Sequence, residues 1–137
     1  MLAIQRPEAV LIVDDDDHYV RVLTRQLREL GFPFVYRAAS AGQAIAMLQR
    51  VHPTLVLTDM VMESQVSGRD LIEMAQRLGA SVAVVSGRPE VHEQDLGVRL
   101  QRKSDLQGSA LEGLVVELIE GARRRSRDSV RATEQVA

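Results

Sequence analysis

Ala9-Val10-Leu11-Ile12-Val13-Asp14-Asp15-Asp16-Asp17 is a run of five apolar residues, three of them β-branched, that stops at four aspartates. A short continuous apolar run of this kind reads as a strand buried on both faces, as parallel sheets require. From Asp17 to Leu30 the period changes. Val20, Leu23, Leu27 and Leu30 recur at three- and four-residue spacing, and Arg21, Arg25, Gln26 and Arg28 fill much of the other side. That is the pattern of an amphipathic helix. Gly31 follows where a C-cap glycine would end it.

Working outward, the same alternation repeats. Phe34-Val35-Tyr36 reads as a weaker second strand, and Ser40 with Gln43 as a capping box opening a second helix. His52-Pro53 breaks that helix. Thr54-Leu55-Val56-Leu57-Thr58 is a third strand, again ending in an aspartate, Asp59. A loop containing Ser67-Gly68 leads to a third helix with Leu71, Ile72, Met74, Ala75 and Leu78. Ser81-Val82-Ala83-Val84-Val85 is a fourth strand, ending at Ser86-Gly87. The polar segment from Arg88 to Gly97 has room for about two helical turns. Val98-Arg99-Leu100 reads as an edge strand. Ser109 with Glu112 suggests a capping box for a last helix carrying Leu111, Leu114, Val115, Leu118 and Ile119. Strands alternating with helices over the whole length define an α/β domain, a doubly wound parallel sheet with helices on both faces. In such sheets the ligand site lies beyond the carboxyl ends of the strands.

Composition narrows the function. The chain has 137 residues, the size of one domain, with 45% hydrophobic and 26% charged residues. Cysteine is absent, which excludes disulfides, thiolate metal sites and cysteine nucleophiles. No apolar run approaches the ~20 residues of a membrane span, and the start lacks a secretory apolar region, so a cytoplasmic location and no membrane partner are expected. A net charge of -2 and only 3% aromatic residues offer little to nucleic acid, which is not expected as a partner. The exception is the tail, where Arg123, Arg124, Arg125, Arg127 and Arg131 cluster. They read as a solvated helix end, with an acidic partner or nucleic acid as the sharper alternative. His18, His52 and His92 are scattered without metal-ligand spacing.

The residues that end the strands carry the chemistry. Asp14 to Asp17, Asp59, Ser86 and, after the fifth strand, Lys103 converge on one edge of the sheet. Clustered carboxylates repel one another unless a cation intervenes, and a hard divalent ion such as Mg²⁺ with oxygen ligands suits them. A carboxylate nucleophile beside such an ion, a lysine and a hydroxyl suits phosphoryl transfer.

The stretches Leu11-Ile12-Val13-Asp14-Asp15-Asp16, Leu55-Val56-Leu57-Thr58-Asp59-Met60-Val61-Met62, Val84-Val85-Ser86-Gly87 and Arg102-Lys103 together resemble the receiver domain of two-component response regulators. The resemblance covers roughly residues 8 to 122, leaving 123 to 137 as an arginine-rich helix extension or tail. It implies a flavodoxin-like five-stranded sheet in the order 2-1-3-4-5. It implies that Asp59 accepts a phosphoryl group from a histidine kinase or phosphotransfer protein. Asp15, Asp59 and the Val61 backbone carbonyl would hold Mg²⁺ directly, and Asp14 through water. Lys103 would pair with Asp59 and then with the phosphoryl oxygens, and Ser86 would hydrogen-bond the same group. Output would pass by contact to a downstream protein, with a homodimer through the last helix as one option. The chain would not be an enzyme acting on outside substrates.

The sequence departs from the family at several points. Ser104 follows the lysine where proline is usual, Leu100 stands where an aromatic residue switches rotamer, and Glu63 replaces a common proline. The stretch between Ser86 and Lys103 is about five residues short, which predicts a fourth helix of one or two turns or none. Val61 and Arg88, two residues beyond Asp59 and Ser86, would shield the phosphoryl group from water and make it long-lived. Two rivals remain: a receiver-like adaptor that works without phosphorylation, and a phosphatase of the haloacid-dehalogenase type. The latter would use Asp14 and Asp16 as its Asp-x-Asp pair and leave Asp59 without a role.

Overall fold

The computed structural model describes residues 5–59 and 65–136. Five strands form one all-parallel sheet in the order β2-β1-β3-β4-β5. They are β1 (Val10–Val13), β2 (Val35–Ala38), β3 (Leu55–Thr58), β4 (Ser81–Ser86) and β5 (Arg99–Arg102). Four α-helices connect and flank them: α1 (Asp17–Glu29), α2 (Ala41–Val51), α3 (Gln65–Arg77) and α4 (Ser109–Val136).

Alternation along the central strands explains the layering. Successive side chains point to opposite faces of a sheet. Val10, Ile12, Leu55, Leu57, Ala83 and Val85 pack with Leu23 and Leu27 of α1 and Leu111, Leu114 and Leu118 of α4. Leu11, Val13, Val56, Val82 and Val84 pack on the other face with Ala44 and Leu48 of α2 and Leu71 and Ala75 of α3. Every residue of β1 and β3 is buried, so these strands have no polar side. That is why their sequences are continuous apolar runs and not alternating ones.

Local signals account for most boundaries. Asp16 caps α1, its side chain accepting the Tyr19 N–H at 3.1 Å. Gly31 ends α1 at φ 100°, a conformation glycine adopts without steric cost. Ser40 caps α2 by accepting the Gln43 N–H, and the Gln43 side chain accepts from Ala39, one residue earlier than a standard capping box. His52 closes α2 in the left-handed region, donating its N–H to Leu48.

Four expectations need correction. β2 runs Val35–Ala38 and not Phe34–Tyr36, with Phe34 half exposed outside it. β5 begins at Arg99 and runs to Arg102, not over Val98–Leu100. α3 starts at Gln65, so Ser67 and Gly68 lie inside the helix. Ser109 is the first residue of α4, not its cap: the Glu112 N–H bonds the Gly108 carbonyl.

Between β4 and β5 the only helical element is a single 3₁₀ turn, Glu93–Asp95. The expectation of a lost or very short helix between β4 and β5 is met. Leu96, Val98 and Leu100, at strand-like spacing, pack on the cluster under α2 and α3 instead. Arg102 in β5 ties the segment down, its guanidinium donating to the carbonyls of Arg88 and Val91. At the other end of the chain, α4 continues through the arginines to Val136.

Candidate functional site

Strand register brings the site residues together. β1 pairs with β3 so that Val13 lies beside Thr58. The next residues, Asp14 and Asp59, therefore emerge side by side, and the Asp59 N–H donates to the Val13 carbonyl at 2.8 Å. β4 pairs with β5 so that Ser86 lies beside Arg102, and Lys103 follows. By alternation Asp14 follows Ile12, and Asp59 follows Leu57, onto the face covered by α1 and α4.

The three side chains meet there. Lys103 Nζ stands 2.7 Å from Asp14 Oδ2 and 3.2 Å from Asp59 Oδ2. The Asp14 side chain is 3% exposed and that of Asp59 16%. The other Asp14 oxygen, Oδ1, accepts the Asp16 N–H at 2.9 Å. Lys103 reaches in along the glycine that follows β4: a Cβ on Gly87 would lie 3.8 Å from Lys103 Cδ.

Burial dominates the electrostatics of Asp14. It raises the carboxyl pKa, and the Lys103 hydrogen bond and the Asp16 N–H only partly offset it. For Lys103 burial alone would favour the neutral amine. The Asp14 hydrogen bond and the charges of Asp14 and Asp59 outweigh that, and its pKa is raised. Tyr19 is raised as well, by burial first and then by the Asp14 and Asp59 charges.

The remaining predicted site residues are placed differently. Asp15 is exposed at the rim. Ser86 is fully buried and its hydroxyl oxygen accepts the Arg88 N–H at 3.0 Å, so its own proton is what it can still donate. Val61, Met60, Met62 and Glu63 lie outside the described residues. Asp16 and Asp17 are solvated helix-start carboxylates. The first caps α1, and the second pairs with Arg37 at 2.7 Å. The haloacid-dehalogenase reading loses its second aspartate to this cap.

Sequence reasoning missed Tyr19. Its ring lies beneath the Lys103 ammonium, 4.5 Å from centroid to Nζ. Its helical spacing marked it only as one more residue of α1. No signal in the sequence connects it to a lysine beyond the last strand.

Among the described residues no cluster of three acidic or histidine side chains gathers closely enough to cage a metal ion. The arrangement still fits Mg²⁺ by donor chemistry. That ion keeps several waters and commonly takes only one or two carboxylates. Asp14 and Asp59 offer two hard oxygen donors beside each other, with Asp15 on the rim.

Residues 10–96 match the model of the response regulator receiver domain, and the chain belongs to that family. Solved structures agree on the fold. The response regulator receiver protein from Sinorhizobium medicae matches with a TM-score of 0.73 at 21% identity, covering 84% of this chain and 96% of that one. The signal receiver domain of a modulated diguanylate cyclase from Desulfovibrio desulfuricans matches at 0.75 and 16% identity, covering 86% and 98%. The receiver domain of a histidine kinase from Arabidopsis thaliana, complexed with Mg²⁺, matches at 0.64 and 21% identity, covering 83% and 93%. No curated protein sequence matches this chain. No described helix is long and apolar enough to cross a membrane.

Proposed function

We propose that this receiver accepts a phosphoryl group on Asp59, from a histidine kinase or phosphotransfer partner, with Mg²⁺ as cofactor. One observation carries the reading: a single lysine joins two strand-end carboxylates at the sheet edge, 2.7 and 3.2 Å away. A carboxylate oxygen of Asp59 attacks phosphorus. The bond from phosphorus to the donor imidazole breaks, and that imidazole leaves with the electron pair and is protonated. Asp14, Asp15, Asp59 and the Val61 carbonyl are the proposed metal ligands, Asp14 acting through water. Bound Mg²⁺ would neutralise charge on the transferring oxygens.

The protein's own groups do the rest. Lys103 follows the negative charge from Asp59 to the phosphoryl group, since it already bridges the acidic pair. Ser86 donates its free proton, and that draws the β4 end inward. The chain acts by contact with a downstream protein, in the cytoplasm, and does not turn over outside substrates. The receiver unit is residues 8–122, with 123–137 as the extension that can reach a partner or a second copy.

The adaptor reading keeps one observation in its favour. The 3₁₀ turn at Glu93–Asp95 leaves no α-helix between β4 and β5 to transmit a change. Mg²⁺ removal separates the two. Incubation with acetyl phosphate should phosphorylate the chain only when Mg²⁺ is present and not with chelator. A protein that gains nothing in either condition, from small donors or from a kinase panel, would support the adaptor. Phosphoprotein decay over many minutes is expected if Arg88 and Val61, two residues beyond Ser86 and Asp59 in the sequence, shield the phosphoryl group from water, and decay within seconds would contradict it.

A further inference from the structure

We propose that Tyr19 is a positioning residue that seats the Lys103 ammonium between Asp14 and Asp59. It deepens the phosphoacceptor reading and rests on it for its chemical consequence.

Tyr19 is fixed from two sides. Its N–H is held by the Asp16 cap at 3.1 Å. Its ring packs against the cluster formed by β1, β3, α1 and α4. A ring anchored this way presents one stationary face. Lys103 Nζ lies over that face, 4.5 Å from its centroid, while bonding both carboxylates. The aromatic quadrupole attracts the ammonium. The carboxylates pull it one way and the ring holds it from another, so a flexible four-carbon side chain is left with one stable seat.

The hydroxyl points to the ring as the working part. Among the described residues, Tyr19 Oη is buried with no hydrogen-bond partner. A buried hydroxyl in that state costs stability and gives nothing to the lysine contact. The face of the ring, and not its polar end, meets the charge. Phenylalanine should therefore serve as well as tyrosine, and leucine should not.

The test compares wild type, Tyr19→Phe and Tyr19→Leu, with thermal midpoints confirming that each is folded. Two readouts are taken. The first is the Lys103 εCH₂ proton shift, which a ring beneath it moves upfield whether or not the chain is ever phosphorylated. The second is the initial rate of phosphorylation by acetyl phosphate with Mg²⁺. The expected result is an upfield shift in wild type and Tyr19→Phe that vanishes in Tyr19→Leu, with a rate roughly fivefold lower in Tyr19→Leu alone. Absence of the shift in wild type overturns the placement. Equal rates in all three, or Tyr19→Phe as slow as Tyr19→Leu, overturn the role of the ring face. Failure of wild type to accept phosphate would instead sink the phosphoacceptor reading, and the proton shift would still decide where Tyr19 holds the lysine.

Discussion

Lys103 is the counter-charge of a buried carboxylate, and its removal exposes what that carboxylate costs. Asp14 is almost fully buried and its pKa is raised chiefly by burial. Without the ammonium it would be a buried charge short of a partner. Lys103→Ala should lower stability by about 1–3 kcal/mol at neutral pH without Mg²⁺, read by urea unfolding. Added Mg²⁺ should recover much of that loss in the variant. A variant as stable as wild type without the ion would contradict the bridge. The pH dependence has a definite sign. Folding raises the Lys103 pKa above its ordinary 10.5. The unfolded chain then gives up the proton first, so the stabilisation is whole below about 10.5 and fades as pH rises through the higher folded value. Wild type should lose stability over that alkaline range more steeply than Lys103→Met, by unfolding midpoints. Residue identities at strand ends made Asp14 and Asp59 visible in the sequence, because an apolar strand that stops at a charge announces its own exit; Lys103, after a polar strand, was marked by the family resemblance. Tyr19 was invisible because its partner lies across the fold.

The helices and strands were legible to the degree that their signals were local. The Asp16 and Ser40 caps, the Gly31 stop and the apolar runs of β1, β3 and β4 each arise from neighbouring residues. β5 was misplaced because it reads Arg-Leu-Gln-Arg, with one exposed residue and three half-buried, and owes its place to pairing with β4. The segment between them is tied by Arg102 at its start and by Leu96 and Val98 against the core near its end. Arg102→Ala should speed amide exchange at residues 88–91 and cost about 1 kcal/mol, because two carbonyls lose a charged donor. Unchanged exchange there would show that Leu96, Val98 and Leu100 hold the segment unaided. α4 divides in energetic terms near Ile119, its last core residue. Beyond it, Arg123 meets Glu8 at 3.4 Å, and Arg125 donates to Ser81, whose hydroxyl also donates to the Leu118 carbonyl at 2.6 Å. Residues 126–133 are exposed. Truncation after Arg125 should shift the melting midpoint by less than about 3 °C. A larger loss would place the extension inside the cooperative unit.

At the scale of the molecule, strand order and site follow from one device. Parallel strands that all enter from the same side deliver their last residues to one edge. The sheet pairs β1 with β3 at its centre, so the two acidic ends become neighbours. The alternation of apolar and amphipathic segments foretold the layers, and the family resemblance supplied the order. Neither could supply which side chains meet, since that depends on register and on the turn after each strand. Asp15 and Ser86 illustrate this: one is exposed at the rim and the other is bonded to its own turn at Arg88. The absence of an α-helix between β4 and β5 leaves the acidic edge intact, and the proposal of phosphorylation on Asp59 rests on that edge alone. The measurement that tests that claim most directly is intact mass after incubation with Mg²⁺ and acetyl phosphate, for wild type and Asp59→Asn. A gain of about 80 Da in wild type that Asp59→Asn abolishes is the predicted result. A gain that survives in the folded variant would place the phosphoryl group elsewhere and contradict the account.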